Sequence, residues 1–404
     1  MSVSVRHADQ LVRFPAARTP YLRHDRAAEI ESGAGELTIA DGVVAGFEAD
    51  RDADVVIDAS GGAVVPGFVD CHTHLPFAGW RAQEYAQKVA GVAYEQIARA
   101  GGGIAASAAA LRAAGDEDVL RQAGAIRAEM LAHGTTTFEA KTGYGLSPEQ
   151  ELRAVRLARS LGADVVTGLF AHAVPPGFDA DAWMESAEQL ARDADVDALD
   201  VYVESMAFRN ADLERLGEIA RQRGLPLRAH VEQFNSNRSV PVAIAAGARS
   251  VDHLACLHPD DRGELAASEC AAVLLPGAEF LGDERVAPGR ALADAGAICV
   301  LATDCNPGTS TVVSMPLVIG LAVRRYRWTV QEALLASTLN AAWVLGLERE
   351  RGSLDVGKRG DAVVLDGPIE QLPYRFGRNP VAVVIRGGEI VWVRPDQSWR
   401  VTPR

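Results

Sequence analysis

The chain has 404 residues, 48% of them hydrophobic and 23% charged. That mix excludes a disordered, collagenous or coiled-coil chain, and the length buries enough surface to fold without disulfide staples. Its 54 acidic residues outweigh 40 basic ones, a formal charge of −14 that disfavours nucleic acid and anionic membranes and suits an enzyme of small molecules.

No apolar run reaches the ~18 residues of a membrane span. The first 21 residues carry scattered arginines without an apolar segment, so no signal peptide is expected. Cys71, Cys256, Cys270, Cys299 and Cys305 are odd in number and include no C-x-x-C pair. Reduced thiols and a cytoplasmic location are expected.

Residues 1–65 read as short β segments between turns, "ELTIADG", "VVAGFEA" and "DVVIDASGG", with Asp41-Gly42 as a hairpin signal. The middle, 66–349, alternates apolar runs with amphipathic stretches, the mark of βα units. Eight strands are predicted, at 64–72, 135–140, 164–172, 198–204, 225–231, 248–254, 271–276 and 297–304. Ser147 caps the helix that starts at Pro148. An insert at roughly 75–116 carries Gly101-Gly102-Gly103, and a connection of that length is usually functional. From about 350 to 404 the β texture returns. The expectation is an α/β chain: a catalytic (β/α)8 barrel over 66–349, and a small β-sandwich built from 1–65 and 350–404.

Active sites of such barrels lie at the carboxyl ends of the strands. Of nine histidines, five fall there: His72 and His74 on strand one, His172 on strand three, His230 on strand five and His253 on strand six. Glu204 ends strand four and Asp304 strand eight. Two residues apart on a strand, His72 and His74 share a face. Alone, such a pair also reads as strand-end packing. With His230 and Asp304 it makes a three-histidine, one-carboxylate ligand set for zinc or iron, and an open position on the ion would hold an activated water. Asp304 is then placed to take a proton from that water; its plain alternative is a loop N-cap.

"PGFVDCHTH", followed by the later histidines and Asp304, resembles the amidohydrolase superfamily. "RAGGGI", "KTGYGL" and "TDCNPGTS", with "HVEQ", "LLPGAEF" and "LPYRFGRNPV", resemble more narrowly its imidazolonepropionase family, over about 60 to 390. The resemblance implies a metal-bearing barrel with a small β-sandwich, one divalent or trivalent ion (zinc or iron), and commonly a homodimer. It implies hydrolysis of 4-imidazolone-5-propanoate to N-formimidoyl-L-glutamate, a step of histidine degradation.

By that resemblance His72, His74, His230 and Asp304 are metal ligands, and His253 polarises the attacked carbonyl or water. Arg81 grips the substrate carboxylate, Tyr144 and His172 contact substrate, and Asn306, Gly308 and Thr309 contact substrate or product. Tyr94 and the triple glycine join the same pocket. Some amidohydrolases bridge two metals with a carboxylated lysine on strand four; Lys141 follows strand two, so one metal is expected. Glu204 is either a partner behind the site or solvated. His133 is structural, His7, His24 and His258 are surface residues, and Glu84 and Gln87 a solvated helix face.

Two positions depart from the superfamily pattern. Relatives often carry a proton-shuttling Glu three residues after the strand-five His; here Gln233 stands there, with Glu232 before it. Gln orients substrate but cannot act as a base. Arg238, in "NSNRSV", is placed to alter ring specificity. The rival readings are a deaminase or cyclic-amide hydrolase of another heterocycle, and a catalytically silent ligand-binding homologue.

Overall fold

The computed structural model describes residues 1–15, 20–92, 96–97, 100–282 and 285–403. The chain opens with β1 (Ser2–Arg13), β2 (Glu31–Ala40), β3 (Val43–Gly46), β4 (Val55–Asp58) and β5 (Ala63–Pro66). β2 and β3 are joined by Asp41 and Gly42, both left-handed at φ 50° and 83°, the two-residue turn that an Asp-Gly pair favours.

The expected strand over 64–72 is two strands. Pro66 offers no amide to a ladder, and the chain changes sheets at Gly67. β5 stays with the terminal strands, and β6 (Phe68–Asp70) starts the barrel. Seven further strands follow it: β7 (Thr135–Lys141), β8 (Val165–Ala171), β9 (Ala198–Val203), β10 (Leu227–Val231), β11 (Ser250–His253), β12 (Ala271–Leu274) and β13 (Cys299–Leu301). They pair in sequence order and parallel, and every residue of β7 to β13 is buried, as strands covered by helices on one face and barrel interior on the other require.

The seam between β6 and β13 closes just past their ends. Asp304 N donates to His72 O at 2.9 Å, and His74 N to Cys305 O at 2.9 Å. The closure therefore stitches together the two segments that carry the histidine pair and the strand-eight aspartate.

The crossover helices follow their caps. Over Pro148–Leu161 the Ser147 Oγ accepts from Gln150 N at 3.3 Å, Ala154, Val155, Leu157, Ala158 and Leu161 are buried, and left-handed Gly162 ends the helix. His24 departs from expectation. It is 2% exposed, 4.6 Å ring to ring from Trp328, because Leu22 N is bound by the Asn340 side chain at 3.0 Å and draws the segment onto the barrel. His7 and His258 are partly exposed, and His133 ends the helix Asp116–Ala132 with Nδ1 2.9 Å from Glu129 O.

The chain closes with β14 (Ala362–Leu365), β15 (Val381–Arg386), β16 (Glu389–Val393) and β17 (Val401–Pro403). The two termini form one nine-stranded, mainly antiparallel sheet, ordered β16-β15-β14-β5-β1-β2-β3, with β4 between β1 and β17. Val44 of β3 and Val383 of β15, from its opposite ends, share one apolar core, so the sheet curls over itself. No helix among the described residues is long and apolar enough to cross a membrane.

Candidate metal centre and active site

His72 and His74 follow β6, His230 lies in β10, and Asp304 follows β13; none is more than 3% exposed. One nitrogen from each histidine lies within 4.8 Å of the other two. Asp304 Oδ1 is 3.4 Å from His72 Nε2 and 3.3 Å from His74 Nε2. Ligands about 2.0–2.1 Å from a shared tetrahedral ion stand ~3.3 Å apart, so this spacing fits a common cation. His72 Nε2, His230 Nε2 and Asp304 Oδ2 are buried without a hydrogen-bond partner. Such atoms are costly to bury unless something uses their lone pairs, and three imidazoles with one carboxylate suit zinc or iron.

The far nitrogens of two histidines are anchored from below. Asp252 Oδ2 is 2.6 Å from His72 Nδ1, and Asp200 Oδ1 is 3.1 Å from His230 Nδ1. Each carboxylate requires Nδ1–H, which leaves the Nε2 lone pair for a cation. Lys141 ends β7, 2.7 Å from Asp200 Oδ2 and 3.1 Å from Glu139 Oε2, with no exposed surface on its side chain. Arg228 also binds Glu139. Asp200, Asp252, Glu139 and Arg228 were not singled out from sequence. Their signal was there: charged residues inside strands expected to be buried on both faces.

Backbone strain gathers at the same end of the barrel. Glu232, His253, Leu254 and Asp304 have φ of 56°, 81°, 64° and 54°. Each left-handed non-glycine residue costs of order 1–3 kcal/mol, which the packed barrel sustains.

Burial lowers His253 to about 3 despite nearby Asp304, and His74 to about 4. His172 is held well below the ordinary histidine value by burial and by His74 and His230. Burial pushes Asp304 up, but the close approach of the His72 and His74 rings outweighs it and holds the carboxyl well below the usual range. At neutral pH His253 is thus an uncharged imidazole beside an ionised carboxylate.

A cleft of about 390 Å³ opens above this cluster, lined by His74, Arg81, Tyr144, His172, Gln233, His253, Asp304, Asn306 and Thr309, with Ile104, Tyr202, His230 and Phe234. His72 lies beneath it. Tyr202, Phe234 and Ile104 escaped the sequence reading. Tyr202 Oη donates to Gln233 Oε1 at 3.0 Å, which fixes the Gln233 amide. His172 stacks on His74 at 5.4 Å and 15°, with Nδ1 3.1 Å from Gly143 O. A Cβ on Gly143 would lie 2.7 Å from that Nδ1, so only glycine fits. Glu151, buried beneath the Tyr144 loop, accepts from Gly143, Gly145 and Leu146 N at 2.7–3.0 Å and holds the loop in place.

Arg81 donates to Ser107 Oγ at 3.2 Å and lies 3.3 Å from Glu84 Oε2, its side chain 8% exposed. Gly308 does not line the cleft; it backs the guanidinium, and a Cβ there would sit 1.6 Å from Arg81 Nη2. Asn306 folds its own loop, accepting from Gly308 N at 2.9 Å and Thr309 N at 2.7 Å.

Other placements differ from expectation. Glu84 is not a solvated residue: its Oε1 accepts from Gly103 N at 3.1 Å and ties the triple glycine to Arg81, while Gln87 is exposed. Glu204 is buried and accepts from Phe234 N at 2.7 Å and Asn235 Nδ2 at 3.0 Å, securing the loop after β10. Glu232 accepts from Ser239 N at 2.8 Å. Arg238 turns away to Asp261 at 2.6 Å and does not line the cleft. Tyr94 lies outside the described residues.

A family model described as the amidohydrolase family matches residues 63–391. An imidazolonepropionase of Cupriavidus pinatubonensis is 43% identical over 350 residues, 82% of each chain. One of Herpetosiphon aurantiacus is 37% identical over 416 aligned positions, 95% of this chain and 97% of its own. The chain belongs to the imidazolonepropionase family of amidohydrolases. The fold is shared more widely: a triazine hydrolase variant superposes with a TM-score of 0.72 at 16% identity, covering 96% of this chain and 94% of that one. The amidohydrolase family match over residues 63–391 includes every residue of the cluster.

Proposed function

We propose that the chain hydrolyses 4-imidazolone-5-propanoate to N-formimidoyl-L-glutamate, in histidine degradation, by water addition to the ring amide and cleavage of its C–N bond. The observation that carries the substrate choice is Arg81. A nearly buried guanidinium faces the cleft that also holds His253 and Asp304. A carboxylate tail bound there in a fork leaves the ring over the histidine cluster. A neutral purine has no use for that cation.

His72, His74, His230 and Asp304 would hold a single zinc or iron ion. When bound, that ion supplies Lewis-acid polarisation of the amide carbonyl and lowers the pKa of water. Asp304 takes the proton of the attacking water and passes it to the departing ring nitrogen. His253 donates a hydrogen bond to the oxygen that gains negative charge. Gln233, held by Tyr202, orients the ring by hydrogen bonds, while Tyr144 and His172 wall the cleft against bulk water. Asn306 and Thr309 contact the opened product. The acidic chain takes a small carboxylate as its partner, neither nucleic acid nor membrane, and works in the cytoplasm as a homodimer.

The test follows the loss of imidazolone absorbance with purified metal-loaded protein, using the propanoate and an analogue without its arm. Turnover of the propanoate alone is expected, and Arg81→Ala should raise KM by about 10–100-fold, the loss of a charged hydrogen-bonded pair. Equal turnover of both compounds would move the assignment to another heterocycle. No turnover of either would leave a silent homologue.

A further inference from the structure

Beneath the three-histidine cluster lies a second concentration of metal-ligating atoms. Donors from Asp200, His230 and Asp252 all lie within 4.8 Å of one another, fully buried. We propose that the Lys141 ammonium is the resident cation of this second cluster, and that through Asp200 and Asp252 it positions His230 and His72 for the metal above. The inference rests on the metal-dependent reading of the site.

The geometry leaves few alternatives for each atom. Asp200 divides its oxygens: Oδ2 takes Lys141 Nζ at 2.7 Å, and Oδ1 takes His230 Nδ1 at 3.1 Å. Asp252 does likewise, with Oδ1 taking Ser250 Oγ at 2.7 Å and Oδ2 taking His72 Nδ1 at 2.6 Å, the same Oδ2 lying 3.8 Å from Lys141 Nζ. Glu139 approaches the ammonium at 3.1 Å and is itself held by Arg228 and Thr167. Two fixed cations, Lys141 and Arg228, thus face three carboxylates on β7, β9 and β11 in a layer with no exposed surface beyond 1% of any of these side chains.

A lysine suits this place better than an arginine. The ammonium is a compact point charge whose donors rotate to meet converging oxygens, whereas a planar fork demands paired ones. Without it, Asp200 and Asp252 would stand together as uncompensated buried carboxylates. They would then repel each other or draw in a second metal ion. With it, both carboxylates remain acceptors, both histidines keep Nδ1–H, and both Nε2 lone pairs point at the first site. Lys141 touches neither substrate nor metal in this scheme; it is a positioning residue.

The test is a double-mutant cycle read by metal binding. Zn²⁺ affinity is measured against a competing chromogenic chelator for the purified full chain, Lys141→Met, Asp200→Asn and the pair together, with bound zinc counted after dialysis. The expected result is about 10–100-fold weaker Zn²⁺ binding in each variant, the usual cost of losing a partner behind a ligand. The double variant should be far less impaired than the product of the two singles, because both act through one contact. Wild-type affinity in Lys141→Met, or in the double variant, would overturn the proposal and leave Lys141 a neutraliser of charge only. Should Lys141→Met fail to fold, the double variant, which removes one charge of each sign, carries the test against Asp200→Asn. Failure of the unaltered chain to bind zinc or iron would count against the metal reading itself, a different result.

Discussion

The barrel interior holds two charged layers with opposite character. In the lower one, the charges of Glu139, Lys141, Asp200, Arg228 and Asp252 face partners of opposite sign, and the chain around them is regular strand. In the upper one, His72 Nε2, His230 Nε2 and Asp304 Oδ2 have no partner, and His253 and Asp304 sit in left-handed backbone. Both layers are equally buried, so burial alone does not mark a reactive site. What marks it is a convergence of ligand atoms with no cation facing them, held in place by a layer whose charges are paired.

Each half of this contrast can be broken separately. In the upper layer, Asp304→Asn, which removes both a proton acceptor and a proposed metal ligand, should lower kcat by about 10³-fold, while circular dichroism stays unchanged. A variant with full activity would remove Asp304 from the reaction. In the lower layer, Arg228→Met leaves Glu139 with one buried charge partner fewer. It should cost roughly 3–5 kcal/mol in a denaturant titration. A shift below 1 kcal/mol would mean the lower layer is not tightly coupled.

A third test uses a buried group outside both layers. Burial depresses His24 from 6.5 to about 4. The unfolded chain therefore takes up this proton as pH falls below 6.5, and the folded chain does so only near 4. Stability from His24 is present above pH 6.5 and is lost on acidification through that window, up to about 3 kcal/mol. His24→Gln should flatten that part of the stability curve; an unchanged difference between the two proteins from pH 6.5 to 4 would place His24 in water. The smallest effect is expected at the rim. Glu84→Ala frees Gly103 N and one side of Arg81, and KM should rise by about five-fold with kcat nearly constant, as one hydrogen bond of ~1 kcal/mol implies. A fall in kcat instead would show that the triple-glycine loop orders the reacting groups.

Much of this arrangement is legible in one dimension. The Asp41-Gly42 turn, the Ser147 cap and the alternation of apolar runs with amphipathic helices all depend on neighbours a few residues away, so local sequence carries them. The five strand-end histidines stand out for a related reason: parallel barrels put all carboxyl ends at one mouth, so position along a strand translates directly into place in space. His24 misled because it stands among charged neighbours, Arg23, Asp25 and Arg26, and its cover is Trp328, about 300 residues on. Glu84 read as solvated for the same reason, since its partner Gly103 is brought back by the insert.

Residue type and spacing, then, pointed to the barrel and to the histidines and aspartate that gather at its mouth. Folding alone established which charges support it. Lys141, Asp200 and Asp252 come from three strands that meet only when the sheet curls shut. A lone Asp in an apolar strand carries no record of the ammonium or imidazole that will face it. Long-range electrostatic pairing inside a protein is a property of the closed barrel, set by distances of a few ångströms between residues up to 180 positions apart.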